Sequence, residues 1–449
     1  MFASKDTLLT RPSGGYTIAR SVRLRSSASA YFNRTPASAG NQQKFTWSGW
    51  VKRGAIGQTE TLFGGYSSGT QLQTNTFDFR FNVDYLDANW GNGTWFTTTA
   101  VYRDPSAWYH IVLAVDTTQA TASNRMILYV NGVIVTSFST ASYPAQNTNL
   151  IINTVNGHAI GKSATGSFQY FDGYMTEINF VDGQQLTPSS FGSTNAITGV
   201  WQPIKYTGTY GTNGFYLNFS DNSSNTSTTI GKDYSGNGNN WTPNNISVTA
   251  GTTYDSMVDS PTVGATSSNY CVVNPLDNGG LTITQANLAI SRATTSWVAT
   301  RASFGVSTGK WYWEYTSGAG NVISPYEWIG IGISTSTLNN YVGYDTSYAY
   351  AAVNGNKMNN NSGAGTGVAY GSTYTSGDVI GVALDCDAGT LIFYKNNTSQ
   401  GTAFTGLSGT FFPMFSQFGT ITGYANFGQR PFSFSPPSGY VALNTFNLP

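Results

Sequence analysis

The sequence predicts an all-β protein: two antiparallel, jelly-roll-like β-sandwich domains joined by an ordered connector of strands and loops. Three observations carry that prediction. No segment sustains a 3.6-residue apolar period with capping residues at its ends. Short alternating or apolar-aromatic runs, separated by Gly, Asn, Ser and Asp turns, recur along the whole chain. Asn131-Gly132 stands between the β-rich runs Arg125–Val130 and Val133–Phe138, the strongest short hairpin signal a sequence offers.

At 449 residues the chain has room for two to four domains of roughly 100–200 residues, each able to bury a full core. Charged residues make up 9% of it, against about 25% in an average soluble protein. With 28 Tyr, 26 Phe and 11 Trp the chain is far from the aromatic-poor composition of disorder. The surface is therefore expected to be neutral and to carry hydroxyls and amides, which suits a durable particle exterior or a sugar-contacting face. Net charge is zero, from 21 basic and 21 acidic residues, so the basic footprint of a nucleic-acid binder is missing. Cys271 and Cys386 are too few for a disulfide framework or a zinc site and are expected as buried free thiols. The start, Met1-Phe2-Ala3-Ser4-Lys5-Asp6, lacks the apolar stretch of a signal peptide. No run approaches the ~18 apolar residues of a membrane span, so no membrane insertion is expected.

In chain order, residues 1–19 read as an N-terminal arm, with Thr10-Arg11-Pro12-Ser13-Gly14-Gly15 extended toward a neighbouring subunit. Residues 20–192 form the first module, with strands predicted at Phe45–Lys52, Phe77–Val83 and Trp108–Asp116. Trp90 and Trp95 flank the turn Gly91-Asn92-Gly93-Thr94. Their rings either stack on sugar CH faces or tuck against the sheet. Residues 193–290 are the connector: Asp221–Thr229 is polar, Ser235–Trp241 is turn-rich, and Thr207–Phe219 reads as one or two strands. Residues 291–449 form the second module.

Four strings of the first module carry a resemblance: Phe45-Thr46-Trp47-Ser48-Gly49-Trp50-Val51-Lys52; Trp108 to Asp116; Met126 to Gly132; and Ile160-Gly161-Lys162 before Phe171 to Phe180. In this order they resemble the concanavalin-A-like, laminin-G-type jelly roll. The resemblance implies two packed antiparallel sheets of roughly six or seven strands and a habit of binding glycans or proteins. Catalytic members of that fold carry alternating carboxylates on one strand, as glycoside cleavage requires. Here Asp78, Asp84 and Asp87, and Glu177 with Asp182, make no such row. A rim calcium, which some members hold, would draw on Asp78, Asp84, Asp87 and Asp116, but these share no loop; no cofactor or metal is expected. His110 matches a structural histidine of the family and His158 follows a turn, so a hydrolase triad is not expected.

The second module runs through Gly309-Lys310-Trp311-Tyr312-Trp313-Glu314-Tyr315, Trp328-Ile329-Gly330-Ile331-Gly332-Ile333-Ser334, Gly377 to Asp385, Gly389 to Asn397, Phe411 to Phe415 and Ala425 to Gln429. These strings closely resemble the SPRY domain, which implies a binding module without catalytic residues and with its ligand surface on rim loops. The corresponding stretches are Asn339–Ala351, with Tyr341, Tyr344, Tyr348 and Tyr350, and Asn354–Asn361, with Asn356 and Lys357. Such tyrosines offer large contact area at low entropy cost; the other reading has them packing a long loop onto the sheet.

A jelly roll, an Asn-rich connector (Asp233 to Thr242, then Asp255 to Pro261) and a SPRY module together resemble virion proteins of tailed bacteriophages. The function expected from that resemblance is a non-enzymatic tail-fibre or other host-contacting surface protein. Its partners would be other virion proteins and a host glycan or envelope protein, its state a homo-oligomer such as a trimer, and its place the particle surface. A capsid-decoration or tail-assembly role is the alternative, and a glycan depolymerase a third.

Overall fold

The computed structural model describes residues 15–70, 72–318, 326–360 and 367–449. Most of the expected N-terminal arm and Asn361 lie outside the described residues. What is described is all-β, with three short 3-10 turns, at Ser26–Ala28, Ala122–Asn124 and Pro188–Ser190, as its helical content. Among the described residues no helix is long and apolar enough to cross a membrane.

The first sandwich packs two eight-stranded sheets. One runs in the order Val133–Ile134, Met126–Val130, Trp108–Asp116, Lys44–Arg53, Gly173–Asp182, Ser21–Leu24, Ser256–Met257, with Phe215–Leu217 also paired to Gly173–Asp182. The other runs Phe138–Ala141, Thr94–Val101, Tyr85–Asn89, Thr76–Asn82, Glu60–Tyr66, Gly157–Ile160, Tyr31–Arg34, Thr242–Asn244. Every pairing is antiparallel. Period-two alternation drives the packing: Phe77, Phe79 and Phe81 enter the core with Phe45, Trp47, Ile111 and Leu113. Trp47 meets Phe79 edge-on at 5.6 Å.

The second sandwich opposes a seven-stranded sheet to an eight-stranded one. The first of these has the order Val273–Asn278, Val298–Ala302, Phe412–Phe418, Tyr326–Gly332, Ser347–Ala351, Asn356–Asn359, Val368–Ala369. The other is built on Lys310–Thr316, flanked by Val379–Asp385 and Ile421–Asn426. Near the C-terminus, Val441–Ala442 adds to Lys310–Thr316 in parallel.

The connector is part of both sandwiches. Phe215–Leu217, Thr242–Asn244 and Ser256–Met257 extend the first, and Val273–Asn278 and Thr282–Thr284 extend the second. Trp241 is buried in the first core against Phe215, 4.8 Å between ring centres. These donated strands take each sheet of the first sandwich to eight, beyond the six or seven that the resemblance implied.

The two sandwiches share a core. Trp50, Trp108, Tyr174 and Met257, on the outward face of the first, are continuous with Cys271, Leu281, Ala286 and Trp311 of the second. That explains why Lys44–Arg53 is buried along both faces: Phe45, Trp47 and Val51 look inward, while Trp50 and Lys52 are covered by the neighbouring module.

Candidate functional site

The outer face of the seven-stranded sheet gathers six aromatic side chains at one end. Tyr326 pairs directly with Phe418 across neighbouring strands, and Trp328 is two residues further along the same face. Trp297 precedes Val298–Ala302 and sits among them, its ring centre 4.3 Å from Trp328, 5.5 Å from Phe418 and 6.1 Å from Tyr326. The loop after Gly332 crosses this face and lays Tyr341 on Trp328 at 4.1 Å, with Tyr344 edge-on to Tyr341.

That loop is stapled by polar contacts. The Ala299 N–H donates to the Leu338 carbonyl at 2.8 Å and the Val342 N–H to Ser416 Oγ at 3.0 Å. The Thr337 N–H donates to the Asp345 carboxylate at 2.8 Å, and Arg301 donates to the Ser336 carbonyl at 2.7 Å. A loop held at this many points presents a set surface, which lowers the ordering cost of binding. Trp328 and Tyr341 are buried beneath it, Trp297, Tyr344 and Phe418 are half-buried, and Tyr326 is 37% exposed.

The four tyrosines expected on this rim divide between two faces. Tyr341 and Tyr344 belong to the outer aromatic cluster. Tyr348 and Tyr350 point between the sheets, because Ala349 and Ala351 take the outward positions of the same strand. Tyr350 is sealed in the core against Tyr374 and Phe393, and burial pushes its hydroxyl pKa up. It has no surface to offer a ligand. Tyr348 meets Phe404 and Phe411. Lys357 also lies at the sandwich edge, half-buried, its ammonium donating to the Ala403 carbonyl at 2.6 Å and resting over the Phe404 and Tyr370 rings. Asn356 is half-buried on the same strand. Sequence reasoning missed Trp297, Tyr326 and Phe418, which lie far apart in the chain and meet only through strand register.

In the first module, Trp95 is a core residue with no exposure, 5.5 Å from Phe77, so its ring cannot stack on a sugar. Trp90 is half-buried and packs on the same core. Asp84 is tied to Arg53 and Arg103, Asp87 to Arg80, and Asp116 to Lys44. Asp78 accepts from Ser163 Oγ at 2.8 Å, and burial raises its pKa to about 6. Among the described residues no group of three or more His, Cys, Asp or Glu side chains is placed to hold a metal.

Ser48 Oγ lies 2.9 Å from His110 Nε2, a spacing shared by nucleophile–base pairs. Here, however, the Trp201 indole N–H donates to Nδ1 at 3.0 Å, where a triad would place a carboxylate. The imidazole is sandwiched between Trp50 and Trp201, and burial lowers its pKa to about 3. Glu60 and Asp172 also approach each other, the Asp172 N–H donating to Glu60 at 2.7 Å. Both are fully enclosed, burial lifting Glu60 to about 8.

Comparison with known proteins matches residues 26–190 to the concanavalin A-like lectin/glucanases superfamily and residues 310–430 to the SPRY domain. Ran-binding protein 9 of Xenopus laevis is 39% identical over 112 residues, spanning 24% of this chain and 20% of that protein. The Ran-binding proteins 9/10 homolog of Drosophila melanogaster is 31% identical over 170 residues, or 36% of this chain and 17% of the relative. E3 ubiquitin-protein ligase RKP of Arabidopsis thaliana is 29% identical over 151 residues, 32% of this chain and 11% of the relative. The chain thus spans about a fifth or less of the length of these relatives. Among solved structures, the SPRY domain of human HERC1 is 22% identical with a TM-score of 0.28, covering 32% of this chain and 91% of that one.

These eukaryotic relatives overturn the expectation of a tailed-bacteriophage virion protein. The host-contacting fibre, capsid-decoration, tail-assembly and phage glycan-depolymerase roles fall with it. So do the virion and host-glycan partners and the particle-surface location. The error has a physical source. A neutral chain rich in Gly and Asn reflects the many turns of antiparallel sandwiches, and says nothing about where they come from. What the matches support is the pair of domains itself: the chain carries a concanavalin A-like domain followed by a SPRY domain.

Proposed function

We propose that this chain is a non-enzymatic protein-interaction protein whose SPRY domain docks a segment of a partner protein on its aromatic rim. The observation that carries this reading is the contiguous surface of Trp297, Tyr326 and Phe418 beside a loop stapled in place. Trp and Tyr set in such a patch are the residues that dominate protein–protein binding energy, and an exposed tyrosine beside them offers both apolar area and a hydroxyl. Two of the relatives above are, by name, Ran-binding proteins, which is consistent with a polypeptide partner. The carboxylates described above are enclosed or committed to ion pairs, which supports a role in binding rather than in chemistry.

The test is to probe a peptide array with the full chain and then with Trp297→Ala and Tyr326→Ser. Peptides retained by the unmodified chain are expected to lose about tenfold or more in affinity with either variant, a loss of at least ~1.4 kcal/mol. Trp90→Ala, remote from the rim, is expected to bind as before. Unchanged retention by both rim variants would refute the assignment.

A further inference from the structure

The long strand Gly173–Asp182 is interrupted once. Thr176 pairs with Trp50 and Asn179 with Ser48, so two residues of one strand, Glu177 and Ile178, stand opposite one of the other, Gly49. Within the interruption, Glu177 adopts a left-handed backbone, φ 52°. Bulges with a left-handed residue ordinarily place glycine there, because any Cβ is strained. A glutamate held in that conformation, in the middle of a buried strand, is the kind of outlier that points to a site.

The bulge aims the Glu177 carboxylate at the floor of a cavity of about 260 Å³. Glu177 as a whole is 4% exposed. It accepts a hydrogen bond from the Tyr216 hydroxyl at 2.7 Å and another from the Tyr16 hydroxyl at 2.8 Å, and those two hydroxyls are 2.5 Å apart. Tyr16 to Ala19 close one side, and Tyr234, Asn218 and Ser220 line the wall. The mouth has the opposite sign. Lys205 lines the cavity and is exposed, and Lys232 rests over the Tyr234 ring at 5.0 Å. A negative, aromatic floor under a positive mouth is complementary to one kind of small molecule.

We propose that this cavity binds a small zwitterion, its cationic nitrogen on the Glu177, Tyr16 and Tyr216 floor and its anionic end against Lys205. The volume suits a molecule of amino-acid size and is below that of the usual drug-sized pocket, roughly 300 Å³ upward. Neither the aromatic rim of the second sandwich nor the matched domain families assign anything here.

Burial holds the Glu177 carboxyl up to about 7, with the Tyr216 and Tyr16 hydrogen bonds and then Lys205 opposing. The titratable groups around it are Tyr16, Tyr210, Tyr216, Tyr234 and Lys205, with Asp233 accepting from the Tyr216 N–H. A cation seated on the floor requires the ionised form, so binding near neutral pH passes a proton to the buffer.

The experiment is calorimetric titration of the full chain with glycine, β-alanine, 4-aminobutyrate and 6-aminohexanoate, with n-propylamine and butyrate as single-charge controls. At least one zwitterion is expected to bind, with a heat that varies with the ionisation heat of the buffer and an affinity roughly tenfold or more above either control. Glu177→Gln is expected to abolish the binding. Lys205→Ala, an exposed change that leaves the fold intact, is expected to weaken it toward that of the amine. Four silent zwitterions, equal binding by n-propylamine, or binding indifferent to both variants would each overturn the proposal.

Discussion

The ammonium of Lys52 lies 2.8 Å from the Asp259 carboxylate, and neither side chain has any exposure to solvent. All three ammonium protons are used: the other acceptors are Asn269 Oδ1 and the Tyr270 carbonyl, each at 2.8 Å. The second carboxylate oxygen of Asp259 takes the Trp108 indole N–H at 2.9 Å. Lys52 belongs to a central strand of the first sandwich, whereas residues 259–270 carry the chain into the second. The pair therefore pins the crossing point between the two domains.

Removing one member of a buried pair strands the other charge. Lys52→Met is expected to cost about 3–5 kcal/mol, read as a lowered midpoint in urea unfolding. The double variant Lys52→Met/Asp259→Asn is expected to recover much of the loss. Because the sandwiches share a core, the unmodified chain is expected to unfold in a single transition.

A second anchor lies nearby. Gln285, Ala286 and Asn287 are three consecutive left-handed residues, with φ of 57°, 58° and 62°, a conformation that costs roughly 1–2 kcal/mol per residue. The Asp172 carboxylate collects the N–H groups of Gln285 and Ala286 together with Ser26, and the Tyr174 hydroxyl donates to the Ala286 carbonyl at 2.9 Å. Such a run of N–H groups forms an anion-binding nest. Asp172→Ala is expected to destabilise by about 3 kcal/mol or more, since several buried donors lose their acceptor. Hydrogen exchange at residues 285–287 is expected to accelerate most.

Glu327 is enclosed beneath the rim with Tyr315, Ser317 and Gln417, and burial raises its pKa to about 7. A carboxyl raised above its unfolded value stabilises fully below that value, about 4.3. The contribution is lost as pH rises through 7. Glu327→Gln is expected to flatten the fall in stability between pH 5 and 8 by an amount on the order of 3 kcal/mol. Thermal melts across that range would measure it, and parallel curves for both proteins would refute it.

Both thiols are free, Cys271 buried and Cys386 half-buried, and burial pushes each up to about 12. Reaction with a disulfide reagent at pH 8 is expected to be slow in the folded protein. Two equivalents are expected to react promptly once urea unfolds it, since the thiolate is the reactive form.

The strands around Trp47, Phe79, Trp313 and Ile331 were legible because their apolar residues alternate with period two, and that alone names the inward face. Cys271 and Cys386 were legible as unpaired for want of partners. Whether Trp95 and Tyr350 were contact or packing residues stayed open, because a ring's residue type does not reveal on which side of the pleat it falls. Register decides that, through pairings with strands distant in the chain.

The sequence by itself determined two sandwich domains, their order and their families, since alternation, turns and local motifs are properties of contiguous residues. Tertiary structure alone decided that the connector adds strands to both, that Lys52 meets Asp259, that Trp297 meets Tyr326 and Phe418, and that Glu177 stands over a cavity. Each of these joins residues from separate parts of the chain. Such meetings are set by packing and by the need to satisfy buried polar groups, and no local pattern records them.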